Sequence, residues 1–310
     1  VDGLAEWISS LICFATPGAE GFLKKVYYII FSVFCVWVVF AMIPPEKAHA
    51  MPVFDSPHFR IAHRCGQPPE ATLYSCGKTV EQGLADFIEM DVHLTKDLRL
   101  AVIHDEKLDR TTNGTGPVSG LTMDEISRLD AGYKYTADGV TYPFRGKGIN
   151  IHPLEDFFKA FPNQRFYVEI KTEDLRAVPI IIGLIRSHHM ENKIVIASVY
   201  GPPLAMMEEL APEVARCASF RESLGWVILT KIGLGGVFSF HSHALALPPA
   251  GGHWIITRRM IESAKRQNVK IHMWTINDPE AMASWKDAGV DAVMTDKIGL
   301  LGDVLTRMQK

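Results

Sequence analysis

After Pro57 the chain settles into short, β-rich apolar runs separated by helical stretches, and this alternation continues for about 250 residues. Neighbouring parallel strands need a crossover between them, so repeated strand–helix units build a parallel sheet covered by helices. Alternation of this length is what an α/β TIM (β/α)8 barrel requires. Strands are expected at 59–63, 87–94, 100–104, 166–170, 193–199, 215–220, 269–275 and 292–295. Helices are expected at 73–82, 154–161, 175–188, 258–267 and 279–288. Residues 236–247 read as a further strand, which gives nine candidates for eight places. The pattern alone does not say which of them lies outside the barrel.

One segment interrupts the alternation. About sixty residues separate His104 from Glu169, more than one loop and one helix need. Within them, residues 111–116 carry turn chemistry, and Thr122 with Glu125 forms a capping box that opens a short helix. Residues 133–148 are rich in Gly and Tyr and show no apolar period. We read 105–150 as a small insertion after the third strand. Such insertions sit over the catalytic face of a barrel and shape its pocket.

Ahead of the barrel, residues 26–43 carry no charge. At 1.5 Å per residue these eighteen residues span about 27 Å as a helix, against a hydrocarbon core of roughly 30 Å. Lys24 and Lys25 stand directly before the run, which favours a cytoplasmic N-terminus. The preferred reading is an N-terminal transmembrane signal anchor within a 1–50 segment, leaving a catalytic domain at 56–310 outside the cytoplasm, on a periplasmic or extracellular face. A second reading is a secretory signal peptide, because Ala48-His49-Ala50 forms an A-x-A cleavage pattern. A third is a buried core helix. Further upstream, Leu4, Trp7, Ile8, Leu11 and Phe14 fall at helical spacing, the pattern of a helix lying on a membrane surface.

The charge balance supplies no basic surface for nucleic acid, since Lys and Arg are scattered and the formal net charge is −3. Cysteines are too few for a disulfide scaffold, with five in the chain and no CxxC pair for structural zinc. Cys65, Cys76 and Cys217 fall in the barrel and are expected as reduced, mostly buried thiols. Cys65 and Cys76 are close enough in sequence to pair if the domain lies outside the cytoplasm.

Chemistry concentrates where strands end. The runs IAHR, IEMDVHLT, AVIHD and YVEIK each place ionisable residues at the carboxyl end of an apolar strand, which in a barrel is the active-site face. Charge buried there is unfavourable unless paired or bound to a cation. Glu89 and Asp91, two apart on one strand, project to the same side, and Glu169 from another strand completes a three-carboxylate cluster. Oxygen donors of this kind suit one divalent cation, Mg²⁺ or Ca²⁺, over zinc. His63 and His104 end two strands on the same face, where paired imidazoles suit acid–base cleavage of a P–O bond. Arg64 and Lys171 supply positive charge for phosphate oxygens. His93, His188, His189, His241, His243 and His272 lack this context and read as structural or exposed.

Taken in order, these motifs resemble the glycerophosphodiester phosphodiesterase family across residues 58–310. The resemblance rests on His63-Arg64, on Glu89, Asp91, Val92, Leu94, Thr95, Lys96 and Asp97, and on His104-Asp105 with residues 108–116. It continues through Glu169-Ile170-Lys171 and residues 274–278 and 289–296. It implies a TIM barrel with a small insertion after the third strand, and Glu89, Asp91 and Glu169 as ligands of a divalent metal. It further implies His63 and His104 as acid and base, Arg64 and Lys171 on phosphate, and Trp274 on the glycerol side of the pocket. The implied reaction releases glycerol 3-phosphate and an alcohol from a glycerophosphodiester. Its nucleophile is either the neighbouring glycerol hydroxyl or water. The chain departs from the family at Cys65, where glycine is usual, and at Ala71, where asparagine is usual, with a shortened loop before Glu70. Glu70 itself is kept and reads as a supporting residue. Two alternatives remain: lysophospholipase D activity on lysophospholipids, and a non-catalytic barrel that binds phospholipid headgroups.

Overall fold

The computed structural model describes residues 19–42, 44–57, 59–249 and 252–309. The expected surface helix at 4–14 lies outside them. Nine strands occur among the described residues: β1 Arg60–Ala62, β2 Phe87–Leu94, β3 Leu100–Val102, β4 Arg165–Ile170, β5 Ile194–Ala197, β6 Ala215–Arg216, β7 Ala244–Leu247, β8 Lys270–Met273 and β9 Ala292–Thr295. Eight of them run side by side in the order β6-β5-β4-β2-β1-β9-β8-β7, every pair parallel. The ends of this path meet through a parallel bridge between Cys217 and Ala244. There the Ala218 amide donates to Ala244 O at 2.8 Å, and the His243 amide to Arg216 O at 2.9 Å. The result is a TIM barrel.

The ninth strand resolves the surplus in the sequence count. β3 pairs antiparallel with the end of β2, Val92 opposite Val102, and stands off the barrel. The expected third strand is therefore the return arm of a hairpin, and the doubtful segment 236–247 supplies a true stave, β7. Strand 215–220 shortens to the two residues of β6, because a helix begins at Phe220.

Residues 105–150 rise from that hairpin. They fold over a small core of Ile103, Leu108, Val118, Met123, Ile126 and Ile151, separate from the barrel's own clusters. The Thr122/Glu125 capping box is present and starts the helix Met123–Ile126.

Alternation along β2 and β4 sets the two sides of the barrel wall. Ile88, Met90, Val92, Phe166, Val168 and Ile170 pack outward against helices Leu154–Ala160 and Ala177–Ser187. Phe87 and Tyr167 point inward with Ile61, Val195, Ala215, Ala244 and Ala292. Alanine on three of these staves leaves the interior room for the Tyr167 and His272 rings, whose centroids lie 5.8 Å apart. Since side chains repeat every two residues, Glu89 and Asp91 share the inward parity of Phe87, and Glu169 that of Tyr167.

Three further long helices, Gly201–Leu210, Phe220–Lys231 and Ile298–Met308, escape the sequence pattern, as does the single turn Gly252–Ile255. The first opens on Gly-Pro-Pro, which reads as a turn. The second carries large apolar residues on its outer side among its charged ones, so the apolar period that marks a surface helix is blurred. At the other end of the chain, helix Ala19–Ala41 includes an 18-residue window, Lys24–Ala41, long and apolar enough to cross a membrane, with none of it buried. Its Trp37 indole donates to Ile232 O at 2.9 Å.

Candidate active site

β1 ends in a tight turn that sets the first two candidate residues, His63 and Arg64. Arg64, Cys65 and Gly66 all have positive φ, +48°, +73° and +68°. Left-handed backbone is unfavourable for side chains with a Cβ, so the turn needs to be held from outside. Three bonds hold it: the Arg64 amide donates to Glu89 Oε2 at 2.8 Å, the Ala71 amide to Arg64 O at 3.0 Å, and the Thr79 hydroxyl to Cys65 O at 2.6 Å. A disulfide between Cys65 and Cys76 ties the same turn to helix Leu73–Glu81. This corrects the expectation of reduced thiols at Cys65 and Cys76, while Cys217 is free and buried as expected. The turn draws Cys65 onto the start of that helix, with a Cα separation of 4.7 Å. It also shows why glycine is usual at that position: the backbone there is left-handed.

The register of β2 against β4 sets Asp91 opposite Glu169. Oxygen atoms of Glu89, Asp91 and Glu169 all lie within 4.8 Å of one another. Burial pushes the Glu89 carboxyl well above its ordinary range, and the neighbouring charges of Asp91 and Glu169 push it further. Glu169 is raised for the same first reason, although Lys171 opposes it. Burial works against the Lys171 ammonium, yet Asp91 at 3.2 Å and Glu169 at 2.9 Å outweigh it and hold its pKa up. Asp91 Oδ2 is buried with no hydrogen-bond partner, and Arg64 Nε stands 3.7 Å from it. Three converging carboxylates with an unsatisfied buried oxygen are a fitting donor set for a hard divalent ion.

Both histidines are oriented by carboxylates. His63 Nδ1 lies 2.6 Å from Asp296 Oδ1, and its Nε2 lies 4.0 Å from Glu89. Asp296 is itself clamped by the Asn277 amide at 2.6 Å. Burial raises Asp296, but the bonds from His63 and Asn277 win and hold it below the usual range. His104 Nδ1 lies 2.7 Å from Asp105 Oδ1. A carboxylate on Nδ1 favours the proton there and leaves Nε2 available for chemistry. Arg110 bonds Asp105 through Nε at 2.6 Å, lowering its pKa to about 2. Arg110 also reaches Glu70 at 2.9 Å, and Glu70 contacts Arg64 at 3.2 Å. Burial opposes ionisation of Glu70, but these guanidinium groups keep its pKa lowered. A continuous polar chain thus runs from His104 through Asp105, Arg110 and Glu70 to Arg64.

Every residue singled out from the sequence is accounted for at this end of the barrel. His63, Arg64, Glu89, Asp91, His104, Glu169, Lys171 and Trp274 line one cavity of about 690 Å³, and Glu70 lines the adjoining one of about 440 Å³. Asp105, Asp296, Asn277 and Arg110 escape assignment from sequence, although all four fall inside the quoted motifs. His93 escapes too. Its parity matches Asp91, which could have placed it inward, and its Nε2 lies 3.0 Å from His104 O. His241 Nδ1 lies 3.1 Å from Glu208 Oε1 at an exposed position, and burial drops the pKa of His243 to about 4.

Comparison with known proteins agrees with this geometry. A profile of the Glycerophosphoryl diester phosphodiesterase family matches residues 63–300. A glycerophosphodiester phosphodiesterase of Caldanaerobacter subterraneus subsp. tengcongensis is 33% identical over 251 residues, covering 76% of this chain and 93% of its own. The human lysophospholipase D GDPD3 is 25% identical over 283 residues, covering 81% and 87%. A crystal structure of a glycerophosphodiester phosphodiesterase from Agrobacterium tumefaciens has a TM-score of 0.65 at 25% identity, covering 80% of this chain and 99% of its own. The chain belongs to the glycerophosphoryl diester phosphodiesterase family.

Proposed function

We propose that the chain is a membrane-anchored hydrolase that cleaves glycerophosphodiesters to glycerol 3-phosphate and an alcohol. The observation that carries this reading is the trio of converging carboxylates, Glu89, Asp91 and Glu169, on the face that also bears His63 and His104. In this reading the trio holds one divalent cation, Mg²⁺ or Ca²⁺, which would draw charge from a phosphate oxygen. Arg64 and Lys171 bind the phosphate and stabilise the charge that builds on it. His63 and His104 divide the proton transfers: one Nε2 takes the proton of the attacking hydroxyl or water, and the other protonates the departing alcohol oxygen. Asp296 and Asp105 hold the two rings in the required tautomer, Glu70 steadies Arg64, and Trp274 forms the glycerol side of the pocket.

Residues 1–50 serve as the anchor or signal segment, and 56–310 form the catalytic domain with its insertion at 105–150. A disulfide beside the active site supports a location outside the cytoplasm, where such bonds persist. A lysophospholipid is a second candidate substrate, favoured by the apolar wall that Val199, Phe220, Leu224, Ile255 and Trp274 give the larger cavity. The test is release of glycerol 3-phosphate from glycerophosphocholine, and of lysophosphatidic acid from lysophosphatidylcholine, with and without EDTA. Turnover that persists in EDTA refutes the cation. Headgroup binding without turnover supports the non-catalytic alternative.

A further inference from the structure

Helix Phe220–Lys231 exposes an apolar stripe at every fourth residue, continued one residue past its end. Phe220 is 70% exposed, Leu224 46%, Ile228 53% and Ile232 52%. Monomeric soluble proteins rarely leave such a run on the surface. The two ends of the stripe meet two different parts of the molecule. Phe220 and Leu224 form part of the active-site cavity, beside Val199, Ile255 and the 40% exposed Trp274. At the other end, Ile232 O accepts the Trp37 indole of the membrane-spanning candidate, and the Trp37 ring packs against Gly233.

The position of Trp37 fixes a depth. It lies four residues before Ala41, the last residue of its helix, so it sits about 6 Å inside that end. That is the depth at which interfacial helices bury their apolar faces, about 5–10 Å. A helix whose end reaches Trp37 in a spanning anchor is therefore already at the headgroup boundary. Exposed Arg221 and Lys231 flank the stripe with positive charge suited to lipid phosphates.

The route of the connecting chain adds an independent constraint. Residues after the anchor reach the barrel at the entry ends of its strands: the Ala48 amide donates to Gln267 O at 2.8 Å, just before β8, and Val53 packs near Phe87 and Ala292. The active site lies at the opposite end. A barrel standing upright on its anchor would hold the cavity far from the bilayer. The stripe spans that gap, since the twelve residue-to-residue steps from Phe220 to Ile232 cover about 18 Å.

We propose that Phe220, Leu224, Ile228 and Ile232 form a membrane-seating surface that lays the barrel on its side against the bilayer, so that the catalytic cavity opens at the lipid surface. This rests on the anchored-hydrolase reading above, and it gives the second candidate substrate, a lysophospholipid, a way in: its acyl chain remains in the membrane while its phosphodiester enters the cavity.

The test uses the full chain in phosphatidylcholine vesicles. In a Cys13→Ser, Cys35→Ser background, Ile228→Cys carries an environment-sensitive fluorophore. Quenching by doxyl-labelled lipids with protection from iodide is expected. Quenching by iodide alone overturns the proposal. So does protection from both quenchers, which marks a face covered by protein, such as a second copy of the chain. Separately, Ile228→Asp with Ile232→Asp should slow hydrolysis of vesicle-borne lysophosphatidylcholine about tenfold and leave that of soluble glycerophosphocholine unchanged. Equal rates on the lipid, or parallel loss on both substrates, refute it. Wild-type protein that turns over neither substrate refutes the hydrolase instead, while the fluorescence result stands by itself.

Discussion

Glu89 is a buried carboxylate beside two others, and its titration turns that conflict into a measurable property. Its folded-state pKa is raised above the ordinary 4.5 by burial and by Asp91 and Glu169. Without a cation, the stability it contributes is present below pH 4.5 and lost as pH rises through its folded value. A divalent cation replaces the proton. In EDTA, Tm should fall as pH rises toward neutrality, and Mg²⁺ or Ca²⁺ should restore it, more strongly at higher pH. Differential scanning fluorimetry checks this, and a cation effect independent of pH would contradict the assignment. Asp105 behaves oppositely: lowered to about 2 from 3.8, it contributes stability above pH 3.8 that is lost as pH falls through about 2. Asp105→Asn should flatten that acid limb in a pH series of urea denaturation. His63→Ala and His104→Ala should each lower kcat by about 10²–10⁴-fold, the usual contribution of a positioned acid or base. At this scale the sequence is informative because strand ends and period-2 parity by themselves assign charged side chains to one end and one side of the barrel wall. It says less about Arg110, which sits in a loop whose path no periodicity reveals.

Among the elements, the turn after β1 shows where local reading stops. Its motif, His63-Arg64, is plain, but the left-handed backbone at Arg64 and Cys65 depends on bonds from Glu89, Ala71 and Thr79, all set by tertiary folding. The same holds for the disulfide, since spacing alone gives no Cα separation. Replacing Cys65 and Cys76 together with Ser removes a cross-link of sequence separation 11, which should cost about 3 kcal/mol in urea unfolding. It should also raise KM, because the freed turn carries Arg64, the residue proposed to bind phosphate. β3 misleads for a different reason: an antiparallel return arm has the same composition as a barrel stave, and only pairing separates them. Helix Phe220–Lys231 is hidden because its outer side carries large apolar residues among its charged ones, so the amphipathic signal that identifies ordinary surface helices is blurred.

For the whole molecule, the fold class follows from alternation and length, whereas closure between β6 and β7 depends on one bridge that no pattern foretells. The anchor is testable at this scale. The full chain expressed in cells should stay in the membrane pellet after alkaline carbonate extraction. Release of a shorter product beginning near Ala50 would favour the cleaved signal instead. The chain from His104 through Asp105, Arg110 and Glu70 to Arg64 also bears on how such a protein can diversify. Arg110 belongs to 105–150, the segment that interrupts the strand–helix alternation, yet it joins Asp105, beside His104, to Glu70, beside Arg64. The segment is therefore no free module: a graft from a relative with a different pocket carries over activity only if it brings its own guanidinium to that spot.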